Sequence, residues 1–365
     1  MAAADRRGSC SPPPTTSSPP DAAATASSAY FPPELIPHIA SRLTSLQDFF
    51  ALRAACRAYR ALLPPTASNL ACQAPLLLVP HLASESHALF HLPLRRLHRF
   101  RLPNRLTADV HSLPRFHSLG CRLTFYGRGH DDFRIVHLLT GEQACLPNPP
   151  QNFANILLAG DLVLTWNYMA RNIQYCRLGA AVWHVASMGE EYFLEDMVSV
   201  NGTLYALVTG SQDLAETYRL AIVNLSDSGD SVELALLGGN LDTRDVCLPE
   251  GSDLYLCLAV CRGELLLLNA VGFNPRAYDV FRWKAEEAKW MKISSLGGCT
   301  LFFEGFYFMG CLGPDHPGIR GDCLYFTERD GRWAEYSLVD KSFREFAAVD
   351  PNLVEPIIWV FPNMC

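Results

Sequence analysis

The side chains in this sequence that could do chemistry are its histidines, its cysteines and three of its pairs of adjacent acids. Eight histidines fall between positions 81 and 137, at irregular intervals and without a carboxylate or cysteine at the short spacing of zinc ligands. Thirteen cysteines are scattered with no Cys-x-x-Cys pair, so a zinc-ribbon or thioredoxin-like motif is not supported. We therefore predict no metal, no cofactor, and reduced, mostly buried thiols.

The acidic pairs suggest the two carboxylates of a glycosidase. The pairs are Glu190-Glu191, Glu195-Asp196 and Glu286-Glu287. Neighbouring residues of a strand point to opposite faces of its sheet, so adjacency in sequence does not bring two carboxylates together. The sequence also lacks a Gly-x-Ser-x-Gly motif, and "GRGHDD" at 127–132 lacks the later glycine and the helix of a phosphate loop. These observations favour a protein without catalytic activity of its own.

Residues 91–128 hold eight arginines and one acidic residue, with phenylalanines between them. Three interpretations are open. The segment contacts nucleic-acid phosphates, or it forms strands whose exposed positions are arginine, or it is a basic patch that faces an acidic substrate or the acidic half of the chain. The net charge of -7 favours the strand interpretation, so we do not expect nucleic acid as a partner.

The elements that must position such residues are mostly strands. After residue 75, a glycine followed by a short apolar or aromatic run recurs, and a polar turn with another strand usually follows. The runs begin at Gly120, Gly160, Gly202, Gly263 and Gly321, roughly 40 to 60 residues apart, as the blades of a propeller are. We predict a mainly β, propeller-like fold. A β-sandwich is the alternative, and the number of blades stays open.

Neither the N-terminus nor the most apolar segment predicts a membrane anchor. Residues 1–29 are rich in serine, proline and alanine and lack large apolar side chains, so we predict a disordered leader. The segment "LGGCTLFFEGFYFMGCLG" at 296–313 carries Glu304 and five glycines. This composition fits buried strands joined by a glycine turn better than an uninterrupted membrane helix.

Residues 31–63 differ from the rest, because their apolar residues recur at helical spacing. Pro32 suits the start of one helix, Ser45 and Asp48 form a capping-box-like start of a second, and Pro64 ends the second helix. A helical hairpin packed on its own domain is one interpretation. The interpretation that we favour is that the apolar stripe has no partner in this chain and binds another protein.

Taken together, "FPPELIPHIASRLTSLQDFFALRAACRAYR" at 31–60 resembles an F-box. The matching positions are Pro32, Glu34, Leu35, Ile39, Arg42-Leu43, Asp48-Phe49-Phe50, Arg53, Cys56-Arg57 and Arg60. Phe31, Pro33 and Tyr59 depart from the family pattern. The resemblance implies docking on a Skp-type adaptor, and through it on a cullin. The adaptor-binding residues that it implies are Pro32, Leu35, Ile39, Leu43, Phe49, Phe50, Leu52, Cys56 and Tyr59.

The remainder of the chain resembles the KIB-type domain of unknown function, which follows F-boxes in a large plant family. The resemblance rests on residues 255–305, on "GDCLYFTERD" at 321–330 and on "PIIWVFP" at 356–362. It implies a kelch-like β-propeller that acts as a receptor domain.

The two resemblances together imply three regions: the leader at 1–29, an F-box at 30–65 and a KIB-type propeller at 76–365. They imply a non-catalytic substrate receptor of an SCF-type ubiquitin ligase in the nucleus, the cytoplasm or both. Its propeller would bind a target protein that the sequence does not identify. The alternative is a propeller that acts outside ubiquitination, as a hydrolase-like enzyme or a nucleic-acid-associated binder.

Overall fold

The computed structural model describes a helical N-terminal segment and a series of sheets. The described residues are 31–80, 87–100, 115–126, 132–210, 217–226, 231–238, 240–242, 255–271, 277–305, 307–314, 316–327, 331–347 and 357–364. The predicted leader at 1–29 and all but the last residue of "GRGHDD" lie outside the described residues. Within the described ranges, no helix is long and apolar enough to cross a membrane.

Three short helices open the described chain: α1 (Leu35–Ala40), α2 (Leu46–Ala54) and α3 (Arg57–Leu62). The sequence predicted two helices, but Cys56 adopts an extended backbone, with φ −156°, and interrupts the second one. The sulfur of Cys56 accepts a hydrogen bond from the backbone N–H of Tyr59 at 3.4 Å and so caps α3.

The predicted helix boundaries hold only in part. The backbone N–H of Leu35 donates to the carbonyl of Pro32 at 3.0 Å and begins the first turn. The last helix ends two residues before Pro64, as a proline pair predicts. Ser45 has the extended backbone of an N-cap residue, but its side chain makes no capping hydrogen bond. The predicted capping box is therefore wrong.

The first eleven strands form three antiparallel sheets, which we call blades 1 to 3. Blade 1 contains β1 (Leu76–Pro80), β2 (His87–His91) and β3 (Arg96–Phe100). Blade 2 contains β4 (Arg115–Leu119), β5 (Arg122–Tyr126), β6 (Asp132–His137) and β7 (Gln143–Pro147). Blade 3 contains β8 (Asn155–Ala159), β9 (Leu162–Trp166), β10 (Asn172–Arg177) and β11 (His184–Ser187). The described part of the basic segment 91–128 thus contributes strands, as the strand interpretation predicts.

The later strands form three further sheets, blades 4 to 6. Blade 4 contains β12 (Tyr192–Val200), β13 (Thr203–Gly210), β14 (Thr217–Leu225), β15 (Val232–Leu236) and the short β16 (Leu241–Asp242). Blade 5 contains β17 (Tyr255–Cys261), β18 (Glu264–Val271), β19 (Ala277–Lys284) and β20 (Lys289–Ile293). Blade 6 contains β21 (Thr300–Glu304), β22 (Tyr307–Leu312), β23 (Cys323–Thr327), β24 (Trp333–Ser337) and β25 (Phe343–Phe346).

The C-terminal strand closes the circle of blades. This strand, β26 (Ile358–Val360), pairs with β1 at the opposite end of the chain, with Trp359 opposite Leu77. The indole N–H of Trp359 donates to the carbonyl of Phe303, in β21, at 2.9 Å. Because β26 belongs to blade 1 and contacts blade 6, it ties the first blade to the last.

One strand of each blade faces a common axis, and the whole is a six-bladed β-propeller. These inner strands are β26, β4, β8, β12, β17 and β22, and contacts between neighbouring blades link them into a ring. In blade 6 the chain first forms β21, turns back as the inner strand β22, and then crosses to β23, which pairs with β21 in parallel.

The hydrophobic core lies between the blades. Each junction of neighbouring blades has its own cluster of buried apolar side chains. On β1, Leu76 and Leu78 pack towards blade 2, whereas Leu77 and Val79 pack towards blade 6. Since both faces of such a strand are buried, its sequence is a continuous apolar run and does not alternate with polar residues.

The repeated glycines mark equivalent turns in four blades. Gly120, Gly160, Gly202 and Gly263 each lie between the first and second strands of blades 2 to 5, with φ between 64° and 83°. This left-handed conformation is easily adopted only by glycine. Gly321 is not equivalent, because it precedes β23, where an added Cβ would lie 2.5 Å from a backbone oxygen.

Candidate functional site

The N-terminal helical segment, residues 31–75, has a hydrophobic core of its own. Its fully buried apolar side chains are Ile36, Ala40, Phe49, Leu63 and Leu70. Two side chains fix the backbone around this core: the guanidinium of Arg53 donates to the carbonyl of Leu63 at 2.9 Å, and Asn69 donates to that of Pro64 at 2.8 Å. The helices are therefore packed in the absence of any partner.

The helical segment is also attached to the propeller. The imidazole of His91, in β2, lies 3.0 Å from the carbonyl of Thr44, and that of His316 lies 2.7 Å from the carbonyl of Cys72. Leu139, after β6, packs against the core of the segment. The expectation that the helices lack a partner in their own chain is therefore wrong. Helical spacing identifies an apolar face but not what covers it.

The structure divides the nine predicted adaptor-binding residues into three groups. The exposed residues are Pro32, Leu35, Ile39 and Cys56. The half-buried residues are Leu43, Phe50, Leu52 and Tyr59. Phe49 is fully buried, so its side chain supports the fold of the helices and lies out of reach of a partner.

An apolar edge runs along one side of the first helix. Phe31, Leu35 and Ile39 follow one another at intervals of four residues and are 53%, 47% and 37% exposed. We call these three residues the exposed stripe. A single exposed apolar side chain is ordinary. Leu35 and Ile39 lie one turn apart on α1 and form a surface that another helix can cover, while Phe31 lies in the segment that leads into this helix. Phe31 is not among the predicted adaptor-binding residues, because it departs from the F-box pattern.

A second candidate site is a cavity of about 650 Å³ in the channel between the inner strands of the propeller. Its walls come from the inner strands β4, β8, β12 and β22 and from the turn after β17. The ionisable side chains that line it are His117, Arg122, Asp196, Arg262 and Glu304. A concave site with several convergent polar groups has the size and character of a binding site for a small ligand or a side chain of a partner.

Asp196 is the most deeply buried ionisable group of this cavity. Its two carboxylate oxygens accept the backbone N–H groups of Met197 at 2.8 Å and Leu258 at 2.7 Å. Burial raises the pKa of Asp196 to about 7, although both hydrogen bonds act in the opposite direction. The carboxyl therefore changes its protonation near neutral pH.

The neighbouring acid Glu195 is buried as well. The pairing of β12 with β13 shifts in register between Leu194 and Asp196, so the regular alternation of the strand is interrupted here. Glu195 contributes to the raised pKa of Asp196, which means that the two carboxyls interact. Only Asp196 of the pair lines the cavity, and Oε1 of Glu195 accepts the hydroxyl of Thr209 at 3.1 Å, as expected if adjacent acids on a strand do not form one site.

Glu304 ends β21 and lines the same cavity, half-buried and opposite Tyr307 in the strand pairing. Burial raises its pKa to about 7. Two carboxyls on the cavity wall thus hold protons at mildly acidic pH, where each can donate a hydrogen bond, and become charged at mildly alkaline pH.

The cysteines are arranged differently from the sequence expectation. Cys121 is disulfide-bonded, so the expectation of reduced thiols is wrong at this position. Three free cysteines, Cys261, Cys299 and Cys311, converge on one point, and no histidine joins such a grouping within the described ranges. The sequence did not predict this grouping, because the three cysteines are far apart in the chain and metal-binding cysteine motifs are recognised by short spacings.

Comparison with known proteins identifies the propeller. The model of the KIB1-4 beta-propeller family matches residues 89–346. No curated protein matches the chain. Similar solved structures include Kluyveromyces lactis Hsv2, with 11% identity, a TM-score of 0.33 and coverage of 76% of this chain and 72% of that one. Another is the Myceliophteria thermophila Cps50 (Swd1) beta-propeller domain, with 9% identity and a TM-score of 0.32. The match covers 75% of this chain and 93% of that one. Nothing about function follows from similarity at this level.

Proposed function

This chain belongs to the KIB1-4 beta-propeller family, and from that premise we propose that it is the substrate receptor of an SCF-type ubiquitin ligase. The helical segment is an F-box that binds a Skp-type adaptor and, through it, a cullin. The propeller binds the target protein in the nucleus or the cytoplasm. The chain catalyses no reaction itself. It contributes proximity, because holding two reactants together lowers the entropic part of the barrier.

The exposed stripe is the observation that supports this proposal most directly. Leu35 and Ile39 of α1 and the preceding Phe31 stay in contact with water, while Ile36 and Ala40 of α1 are fully buried. Removing apolar surface from water contributes about 25 cal/mol per Å². A helical partner that covers the stripe therefore gains free energy without disturbing the core beneath it. Large apolar anchors of this kind usually provide most of the binding energy of an interface.

We propose that the target binds at the channel of the propeller. The cavity there combines both signs of charge with apolar walls, and Tyr307 on its rim is 45% exposed. Loops and turns that a rigid scaffold holds around a concave surface are the usual place for recognition. A segment of a protein that inserts a polar side chain into the cavity fits this geometry.

The test is a pull-down of a purified Skp-type adaptor by the full chain. The variant Leu35→Asp/Ile39→Asp places two charges on the exposed stripe without touching a buried side chain. We expect its affinity to fall more than tenfold, because two central anchors together carry more than about 1.4 kcal/mol. Leu43 is unsuitable as a target, since its half-buried side chain packs against the core of the segment.

The matched control carries the same charges on exposed residues of the propeller. Val182→Asp/Val339→Asp changes side chains that are 63% and 68% exposed, and we expect adaptor binding to stay at the wild-type level. Failure of the wild-type chain to bind any Skp-type adaptor would overturn the proposed function. If both double variants bound the adaptor equally well, the adaptor would still be a partner of this chain, but the exposed stripe would not be the surface that binds it.

A further inference from the structure

Three cysteines from two neighbouring blades meet beside the channel. Cys261 is the last residue of β17, Cys299 precedes β21, and Cys311 lies in β22. All three sulfur atoms lie within 4.8 Å of one another, and those of Cys261 and Cys311 are 3.4 Å apart. Cys261 and Cys299 are buried, whereas Cys311 is half-buried and contributes to the wall of the cavity.

The backbone holds each of the three cysteines independently. Cys261 pairs with Glu264 across a tight turn, and Cys311 pairs with Leu301 inside blade 6. The carbonyl of Cys299 accepts the backbone N–H of Asp322 at 2.8 Å. Ligands that are fixed before binding lose little entropy when an ion arrives, which is the condition for a preorganised metal site.

The loop before Cys299 is fixed in addition by the carboxylate of Asp322. One oxygen of this carboxylate accepts the hydroxyl of Ser295 at 2.9 Å and the backbone N–H groups of Leu296 and Gly298. The backbone of the loop that leads to Cys299 is therefore fixed by hydrogen bonds that do not involve the other two thiols. The convergence of the cysteines thus has a structural cause on each of the three elements.

The triangle of sulfurs has the dimensions of a thiolate metal site. Three sulfurs at the usual zinc–sulfur distance of about 2.3 Å lie about 3.8 to 4.0 Å from one another in tetrahedral or trigonal geometry. The observed pair at 3.4 Å and the limit of 4.8 Å bracket this value. Small side-chain rotations bring the three sulfurs onto one ion.

We propose that Cys261, Cys299 and Cys311 bind a thiophilic divalent ion, Zn²⁺, through three thiolates, with the fourth position open towards the channel. Binding releases three thiol protons to solvent, and three thiolates with one Zn²⁺ carry a net charge of about −1. A monovalent ion would leave a larger negative charge in an apolar cluster, and Mg²⁺ or Ca²⁺ would require oxygen ligands.

The test uses the purified, reduced full chain, loaded with Zn²⁺ and desalted. We expect elemental analysis to find one zinc per chain in the wild type and in Cys176→Ser, which changes a buried free thiol of blade 3. Cys261→Ser, Cys299→Ser and Cys311→Ser should each lose at least tenfold in zinc affinity. Cys311→Ser is the most informative variant, because its half-buried position tolerates the change best.

A second measurement does not depend on the folding of any variant. Cd²⁺ bound to the wild-type chain should show the ultraviolet sulfur-to-metal charge-transfer absorption of three thiolates. Zn²⁺ should raise the melting temperature of the wild-type chain. A wild-type chain that retains no zinc, or that shows no charge-transfer band, would overturn the proposal. So would a disulfide between Cys261 and Cys311 in protein isolated under reducing conditions, since two of the ligands would then be lost.

Discussion

Asp196 makes the stability of the folded chain depend on pH in a direction opposite to that of an ordinary salt-bridged carboxylate. In the unfolded chain its carboxyl ionises near the ordinary pKa of 3.8, whereas burial in the channel raises the pKa to about 7. Between these values the folded state holds one proton more than the unfolded state. Stability therefore falls as the pH rises through this window and stays constant, as far as Asp196 is concerned, above about pH 7.

The size of the effect follows from the difference between the two pKa values. Each pH unit inside the window removes about 1.4 kcal/mol from the free energy of unfolding, so the whole window corresponds to about 4 kcal/mol. In Asp196→Asn the side chain cannot ionise. Its amide group must face one of the two backbone N–H donors, which costs about 1 to 3 kcal/mol but does not depend on pH.

The assay is urea unfolding of wild type and Asp196→Asn from about pH 5 to about pH 8. We expect the stability of the variant relative to wild type to rise by about 1.4 kcal/mol per pH unit up to about pH 7 and then to level off. Titrating groups that do not interact with Asp196 cancel in this difference, whereas Glu195, whose charge acts on Asp196, contributes to it. Asp161→Asn is the matched control, since its carboxylate is 60% exposed and pairs with the exposed Arg177. The difference in the free energy of unfolding between Asp161→Asn and wild type should not change with pH. A flat difference for Asp196→Asn as well would mean that its carboxyl is charged in the folded protein, and our burial argument would be wrong.

Two further predictions concern the closure of the propeller and its turns. Trp359→Ala removes a fully buried indole and its hydrogen bond to β21, and should lower the free energy of unfolding by about 3 to 5 kcal/mol in urea titrations. Gly202→Ala should cost about 1 to 2 kcal/mol, because an L-residue is strained at its φ of 83° although space is available. Gly313→Ala, which is equally open but lacks a positive φ, should be neutral. Equal effects at the two glycines would contradict the strain argument.

The repeated glycines explain why the propeller was predictable from sequence. A turn that needs a positive φ selects glycine at the same place in each blade, and four of the five predicted glycines occupy that place. The blade number was not predictable in the same way. Blade 6 uses a reversed hairpin with its glycine at Gly305, and blade 1 takes its inner strand from residues 358–360 at the far end of the chain. Long-range pairing of this kind has no local signature.

The candidate sites were less predictable, because they depend on contacts that sequence spacing does not report. Helical periodicity selected Phe49 and Leu35 alike, yet Phe49 lies in the core and Leu35 at the surface. Strand alternation predicted that Glu195 and Asp196 do not form one site, but it gave no sign that Asp196 lines a cavity together with Glu304 of another blade. Cys261 and Cys299 are neighbours only because their blades are adjacent.

The attachment of the helices to the propeller bears on the proposed receptor function. The imidazoles of His91 and His316, both in the propeller, contact the carbonyls of Thr44 and Cys72. An adaptor bound to the exposed stripe would therefore hold the propeller in a defined orientation, and not at the end of a flexible linker. This matters because a receptor that works by proximity gains most when its target is presented at a fixed distance and angle. The contacts of His91 and His316 that attach the helices to the propeller would therefore also fix the position of a bound target relative to the adaptor.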